Sequence, residues 1–310
     1  MDLIQQIFNT SFFYSVIRVT IPLLLPAIAA LVTNRAGVPN IGLEGIMLTS
    51  AFFAVIGSAV TNSAFMGVII AIITGVFMAS FLAFFTLKLK TDVILGGIAL
   101  NLFASNFTVF LLYIITGDKG TSASIPSKVV PNLEIPIIKD IPILGPIISN
   151  HNILVYLAII LILLIYILLN KTKLGRHIMA VGENESAAQS VGIKVNKIRY
   201  IAFVISGILC GVAGAFLSMG YVSWFSRDMT AGRGWIALAA EAMGKGNMIG
   251  TTLSSILFGF SSALSNLIQI FGIPTELVSI VPNLITVIAL IVYSIKNLKK
   301  KRKLNETNNN

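Results

Sequence analysis

Long apolar runs separated by short polar segments make up most of the chain. A run of roughly 20 apolar residues is about the length that a helix needs to cross a hydrocarbon core of ~30 Å. A membrane β-barrel would instead show short strands of alternating hydrophobicity. The pattern therefore predicts an all-α, polytopic transmembrane helical bundle of about 8–10 spans, with nine as the working number. The predicted spans are residues 12–33, 38–60, 63–87, 93–116, 152–170, 200–221, 234–244, 249–271 and 276–295.

One predicted span differs from the others in length. Residues 234–244, "GWIALAAEAMG", make up about half of a normal span. We therefore expect this segment to be re-entrant or to belong to a broken helix.

Composition agrees with a membrane location. The 310 residues are 56% hydrophobic and only 11% charged, with a mean hydropathy of +0.91. This leaves too little polar surface to cover a soluble domain. We expect one transmembrane domain, residues 1–295, followed by a disordered basic tail, residues 296–310.

The distribution of charge orients the bundle, because cytoplasmic loops carry an excess of Lys and Arg. Segment 171–199 holds six basic and two acidic residues, and the tail holds six basic and one acidic residue. Loop 117–150 holds three of each. We predict that segment 171–199 and the tail lie inside and that loop 117–150 and the N-terminus lie outside. Anionic lipid headgroups then account for the net charge of +10 without a nucleic acid partner.

A polar segment of small residues, "AVGENESAAQSVGI" at 180–193, interrupts the apolar pattern. It predicts a short helix whose first amides are capped by Asn184, or by Ser186 with Gln189 as a capping box. Gly192 would close the helix in a left-handed conformation. The small side chains would let the backbone of another protein approach closely. A solvated connector fits the local pattern equally well.

Three stretches together carry a resemblance to a known family. They are "NRAGVPNIGLEGIMLTSAF" at 34–52, "GRHIMAVGENESAAQSVGIKVNKIRYIAFVISGILCGVAGAFLS" at 175–218 and "GRGWIALAAEAMGKGNMIGTTLSSILFGFSSAL" at 232–264. In this order they resemble the permease subunits of ATP-binding-cassette (ABC) importers of the branched-chain and ribose type. The forms "RAG..NIGLEG" and "GRGWIALAA" are most similar to nucleoside permeases that work with a basic-membrane-protein-type lipoprotein.

The resemblance implies a function and a set of partners. The chain would be a permease in the plasma membrane of a bacterium. Its substrates would be nucleosides, with purine nucleosides favoured and ribose-type sugars as the alternative. Its partners would be a cytoplasmic ATPase, an extracellular lipoprotein and a second permease, either a related chain or another copy of this one. ATP would bind the partner ATPases, and this chain, which has no GxxxxGK[ST] motif, would not be an enzyme.

Residues 171–199 would then be the coupling loop, which docks into the ATPase. The residues that the resemblance assigns to its coupling helix are Gly182, Glu183, Asn184, Glu185, Ser186, Ala187, Ala188, Gln189 and Gly192.

Two acidic residues, Glu44 and Glu241, lie within predicted spans, where an unpaired charge costs several kcal/mol. They are candidates for function, although pairing inside the chain, for example with Arg18, is an alternative. A proton-coupled secondary transporter would also explain them. Aligning Gly37 with Gly234 brings Glu44 opposite Glu241 and suggests inverted repeats, with a substrate path at their interface.

Amide side chains suit a neutral, hydroxylated substrate because they both donate and accept hydrogen bonds without a charge. An aromatic ring near them would stack on a nucleobase. No metal site is expected, since His151 and His177 have no partners at ligand spacing. The candidates for the substrate path are Asn40, Glu44, Asn101, Asn106, Trp235 and Glu241.

A ridge of small residues, Ser206, Gly207, Gly211 and Gly214, lies along the sixth predicted span. Such a ridge permits two helices to cross at close range. The pattern does not distinguish packing within the chain from an interface with another subunit.

Overall fold

Helices form nearly all of the regular structure in the computed structural model, which describes residues 9–136, 141–142 and 144–269. The helices are α1 (Thr10–Arg35), α2 (Leu43–Thr61), α3 (Ala64–Ala83), α4 (Val93–Thr116), α5 (Leu144–Ile148), α6 (Ile153–Lys171), α7 (Lys173–Glu183), α8 (Glu185–Ser190), α9 (Val195–Phe216), α10 (Arg233–Met243) and α11 (Met248–Gln269). Helices α3 and α9 each continue into a π-helical turn, Phe84–Lys88 and Leu217–Tyr221. Two short antiparallel strands, β1 (Asn132–Leu133) and β2 (His151–Asn152), pair between α4 and α6.

Seven helices of the described chain are long and apolar enough to cross a membrane. The predicted all-α, polytopic fold is therefore confirmed. These helices are α1, α2, α3, α4, α6, α9 and α11, with α3 and α9 extended by their π-helical turns. The predicted span 276–295 and the basic tail 296–310 lie outside the described residues.

The short predicted span is a broken crossing. Helix α10 has 11 residues, which is about 16 Å and too short to span a membrane alone. In the segment before α10, the carbonyl of Tyr221 accepts a hydrogen bond from Arg18 near the start of α1. At its far end, Glu241 accepts one from Asn34 at the end of α1. Since Arg18 and Asn34 lie about 24 Å apart along α1, turns and the half-length helix together carry the chain across.

The small-residue ridge of α9 packs within the chain. A Cβ atom added to Gly75 of α3 would overlap the carbonyl of Gly207, and one added to Gly211 would lie 2.8 Å from the Cα of Ile72. The ridge therefore brings the backbones of α9 and α3 into contact, as small residues do in membrane helices.

Contacts place the basic segment 171–199 and the loop before α6 at opposite ends of the bundle. At the basic end, Arg35 Nε donates to the carbonyl of Gly246 at 2.6 Å, and Arg199 Nε donates to the carbonyl of Ala36 at 3.3 Å. At the opposite end, Ser58 donates to the carbonyl of Lys128 at 2.8 Å. Loop residues 117–136 and 144–152 and the start of α1 lie at this second end, away from segment 171–199.

His151 joins the start of α6 to α1 at the opposite end. The imidazole is 1% exposed, stacks on Tyr14 with ring centroids 4.0 Å apart, and has Nε2 at 2.8 Å from the carbonyl of Ile147. Burial lowers the pKa of His151 below its ordinary value, and the nearby charge of Arg18 lowers it further, although the hydrogen bond to Ile147 opposes this. The ring therefore serves as a neutral packing group.

Candidate functional site

The predicted coupling loop contains two helices, α7 and α8, that meet at Asn184. The Asn184 side chain accepts a hydrogen bond from the amide of Ala187 at 3.0 Å, and Gly192 has φ +83°. The predicted Asn184 cap and the left-handed glycine are both confirmed. The Ser186 capping box is wrong, because Ser186 lies inside α8 and its carbonyl accepts from Ser190 Oγ at 2.9 Å.

Helix α7 was missed because its residues form no long apolar run. Thr172 caps it by accepting from the amide of Gly175 at 3.1 Å. Gly182 and Glu183 therefore belong to the last turn of α7 and not to α8.

Helix α8 presents its small polar residues outward. Ala188 is 3% exposed and packs inward, whereas the other predicted coupling-helix residues are exposed. An ion pair between Arg199 and Glu185, 2.9 Å from Nη2 to Oε2, holds α8 against the start of α9. An exposed helix with small side chains suits docking to another protein.

Segment 171–199, the predicted coupling loop, lies directly on the chain that leaves α1. A Cβ atom added to Gly182 would overlap the carbonyl oxygen of Arg35, and one added to Gly37 would lie 3.2 Å from the Cα of Gly182. Gly37 also has φ +76°, a conformation that favours glycine. The two glycines thus allow backbone contact between the coupling loop and the first quoted motif.

Glu44 joins the starts of α2 and α10. Its carboxylate accepts hydrogen bonds from the amide of Gly232 at 2.8 Å and the amide of Gly234 at 2.5 Å. The first amides of a helix have no partner within the helix and carry partial positive charge, so a carboxylate stabilises them. Because an added Cβ at Gly234 would lie 2.6 Å from the amide nitrogen of Glu44, the two helix starts touch.

The predicted repeat register is wrong, although the predicted opposite directions are present. Glu44 lies in the first turn of α2, whereas Glu241 lies near the end of α10. From their contact, α2 runs toward the end where Ser58 meets Lys128, and α10 runs toward the basic end. The two helix starts correspond to each other, and the two glutamates do not.

Glu241 is held at the basic end. It is 6% exposed and accepts a hydrogen bond from Asn34 Nδ2 at 2.8 Å. Pairing of either glutamate with Arg18 is wrong, because Arg18 donates to the carbonyl of Tyr221 and stacks over its ring, 4.6 Å from the centroid.

Two of the amide candidates hold the extended segment between α1 and α2. Asn40 is fully buried and donates to Ser206 Oγ at 2.9 Å. Asn101 of α4 accepts from the amide of Gly45 at 2.8 Å and donates to the carbonyl of Ile41 at 3.0 Å. In this conformation both amides serve the fold at the start of α2.

Asn106 and Trp235 are the path candidates with exposed surface. Asn106 is exposed on α4 and donates only within its own helix, to the carbonyl of Leu102 at 2.8 Å. Trp235, in the first turn of α10, is 45% exposed. Beside them, Ser105 Oγ lies 3.4 Å from a carboxylate oxygen of Asp228, which connects α4 to the turns before α10.

Sequence reasoning missed Asn34 and Arg35 as functional candidates. Both open the quoted motif "NRAGVPN", and both bond to residues around α10. Their position at the end of a long apolar helix was the available signal, since polar residues there are free to reach a neighbouring element.

A multi-pass helical bundle with an exposed polar loop at its basic end and a half-length helix inside defines a membrane transport subunit. The chain belongs to the family of the branched-chain amino acid transport system / permease component, whose model matches residues 12–290. The predicted family and the plasma-membrane location are thereby confirmed. Membership implies an ATPase and a substrate-binding protein as partners.

Similar proteins cover most of the chain. The nucleoside ABC transporter permease protein NupC of Lactococcus lactis subsp. cremoris is 32% identical over 291 residues, which is 90% of this chain and 91% of that protein. The guanosine ABC transporter permease protein NupQ of Bacillus subtilis is 34% identical over 280 residues, 87% of each chain. The ribose import permease protein RbsC of Escherichia coli is 33% identical over 147 residues, 44% of each chain.

Proposed function

We propose that this chain is the permease subunit of an ABC importer for nucleosides, with purine nucleosides favoured. One observation carries the proposal: the similarity to a nucleoside permease covers 90% of the chain, whereas the similarity to the ribose permease covers 44%. Sugars remain the second candidate because a putative glucose ABC transporter permease of Haloferax volcanii is 32% identical over 246 residues.

The energy source would be ATP bound by partner ATPases, with no ATPase site on this chain. Residues 182–192 would dock into the ATPase, since α8 is exposed and is held firmly through Glu185 and Asn184. The predicted inside location of this basic end supports the same assignment.

The substrate path would pass the meeting point of α2 and α10. Glu44 and Asn101 organise that point, and Trp235 offers an exposed ring on which a nucleobase would stack. A neutral nucleoside suits this setting, because hydroxyl and amide groups bind there without bringing a further charge into the membrane.

A second permease would cover the exposed face of α4. Asn106 lies near the middle of this span, where contact with lipid would leave its side-chain oxygen and one amide hydrogen without partners. Two nucleoside permeases of L. lactis are similar to this chain, NupC at 32% identity and NupB at 26%. Two guanosine permeases of B. subtilis are similar to it as well, NupQ at 34% and NupP at 26%. This pairing supports a heterodimer in which our chain takes the position of NupC and NupQ.

Loop residues 117–136 at the opposite end would meet the substrate-binding lipoprotein. The loop is tied to neighbouring elements, since the amide of Ser122 donates to the carbonyl of Phe225 at 2.9 Å. It thus forms a fixed surface on the predicted outside.

Uptake measurements test the energy source and the substrate. Cells with and without the gene would be given radiolabelled guanosine, adenosine or ribose, and ATP would be depleted while the proton gradient is held. We expect gene-dependent nucleoside uptake that stops when ATP is depleted. Uptake of ribose alone would favour the sugar branch, and uptake that follows the proton gradient would contradict the ABC mechanism.

A matched pair of substitutions tests the docking surface. Ala187→Trp adds bulk to the exposed face of α8, and Ala123→Trp adds the same bulk to an exposed position at the opposite end. We expect Ala187→Trp to abolish copurification of the ATPase and Ala123→Trp to preserve it. Retention of the ATPase by both variants would rule out α8 as the docking helix.

A further inference from the structure

Helix α10 is held at both of its ends by polar side chains from other helices. At its start, the Glu44 carboxylate of α2 accepts from the amides of Gly232 and Gly234. At its far end, Glu241 accepts from Asn34 of α1. Between these points, the small side chains of Ala237 and Ala240 are fully buried against Leu23 of α1 and Phe258 of α11. Apolar packing therefore holds the middle of α10, and directed hydrogen bonds hold its two ends.

The turn after α10 is held by the same end of α1. Arg35 Nε donates to the carbonyl of Gly246 at 2.6 Å. Gly246 has φ +63°, and an added Cβ at Gly250 would lie 2.6 Å from the carbonyl of Gly244. The turn between α10 and α11 is thus narrow and requires glycine, and Arg35 binds its exposed carbonyl.

The coupling loop touches Arg35 and the next residue, Ala36, from the other side. The backbone of Gly182, at the end of α7, lies against the carbonyl oxygen of Arg35. Arg199, which also holds α8 through Glu185, donates to the carbonyl of Ala36. The last residues of α1 therefore lie between the coupling loop and α10.

We propose that Asn34 and Arg35 are positioning residues that transmit movement of the coupling loop to α10 and so to the point where α10 meets Glu44. This inference rests on the proposed function. Because a hydrogen bond between two side chains is directional, displacement of the end of α1 would pull the Glu241 end of α10 with it. The start of α10 would then shift against Glu44 and Trp235, where the path is proposed.

Reversing the polarity of one hydrogen bond tests the proposal. Asn34→Asp places two acceptors against each other and should break the contact. Glu241→Gln keeps an acceptor oxygen for Asn34 and serves as the matched control. In the double variant Asn34→Asp with Glu241→Gln, the new amide donates to the new carboxylate, so the contact should be restored with its direction reversed.

The measurement is the number of guanosine molecules transported per ATP hydrolysed, in proteoliposomes that contain the purified, fully assembled importer. We expect this ratio to fall about tenfold in Asn34→Asp, as the loss of a hydrogen bond to a charged group suggests. It should return to within about twofold of wild type in the double variant. If Asn34 had a purely structural role, Asn34→Asp would lower the amount of assembled complex. The complexes that do assemble would still transport the wild-type number of guanosine molecules per ATP hydrolysed.

Several results would overturn the inference. A wild-type ratio in Asn34→Asp, or a double variant as defective as the single one, would show that this contact does not transmit movement. If Asn34→Asp does not assemble, Asn34→Ala removes the donor without adding charge, and an unchanged ratio in that variant would equally refute the inference. Wild-type importer without ATP-dependent guanosine uptake would instead refute the proposed function.

Discussion

Helices α4 and α6 both leave most of their surface uncovered by the rest of the chain, but they expose different chemistry. In its middle, α6 exposes aliphatic side chains such as Ile160, Leu163 and Ile167. Helix α4 exposes Asn106 next to Phe103. Aliphatic side chains need no hydrogen-bond partner in lipid, whereas lipid would leave the side-chain oxygen of Asn106 without a donor. Equal exposure therefore indicates lipid for α6 and protein or a water-filled path for α4.

The largest expected effect comes from placing a charge on each face. Leu163→Lys puts an ammonium group near the middle of α6 in lipid, at a cost of about 2.5–3.5 kcal/mol. We expect a several-fold loss of monodisperse protein extracted from membranes. Asn106→Lys, at a similar depth in α4, should leave the amount of protein close to wild type when the partner permease is coexpressed. Equal losses in the two variants would place α4 in lipid as well.

A second test compares the inner and outer faces of α4. Asn101→Leu removes both hydrogen bonds to the segment before α2 and leaves the amide of Gly45 and the carbonyl of Ile41 without partners. We expect the free energy of unfolding to fall by about 1–3 kcal/mol, seen as a lower thermal midpoint in detergent.

Asn106→Leu is the matched variant for the outer face. Asn106 bonds only within its own helix, so the thermal midpoint should stay near that of wild type while nucleoside uptake falls. Normal uptake in Asn106→Leu would remove Asn106 from the proposed path. A midpoint lowered as much as in Asn101→Leu would show that both faces of α4 stabilise the fold alike.

A third test uses two adjacent glycines of α4 that lie on different faces. A Cβ atom added to Gly97 would lie 2.5 Å from the Cβ of Ile41, whereas one added to Gly96 meets nothing closer than 3.5 Å. We expect Gly97→Ala to lower stability by about 1–3 kcal/mol through overpacking. Gly96→Ala should raise it by about 0.5–1 kcal/mol through helix propensity. Thermal unfolding of the two variants measures the difference, and effects of the same sign would contradict the assigned faces.

Hydrophobic pattern and local capping could be read from the sequence, but contacts between distant residues could not. The seven long spans were predictable because a run of about 20 apolar residues has one stable arrangement in a bilayer. The Asn184 cap was predictable because its partner, Ala187, lies three residues away. The contact of Glu44 with Gly232 joins residues 188 positions apart, and no local pattern encodes it. Aligning Glu44 with Glu241 on residue type alone therefore produced the wrong register between α2 and α10.

The smallest expected effect concerns how α4 and α6 are attached at the end of the bundle opposite the coupling loop. Helix α4 ends there and is followed by Gly117, where an added Cβ atom would meet nothing within 4 Å. Helix α6, in contrast, begins beside the buried ring of His151. The pKa of His151 is lower in the folded protein than its ordinary value of 6.5, so the folded state binds the proton less readily than the unfolded state. The stability from this site is therefore complete above about pH 6.5 and is lost as the pH falls through the folded-state pKa.

We expect the thermal midpoint to drop between pH 7.5 and 5.5. His151→Gln, which still has a donor for the carbonyl of Ile147, should reduce that drop, and His177→Gln at an exposed site should leave it unchanged. An undiminished drop in His151→Gln would mean that other groups set the acid sensitivity, and that α6 is attached without a titrating contact, like α4.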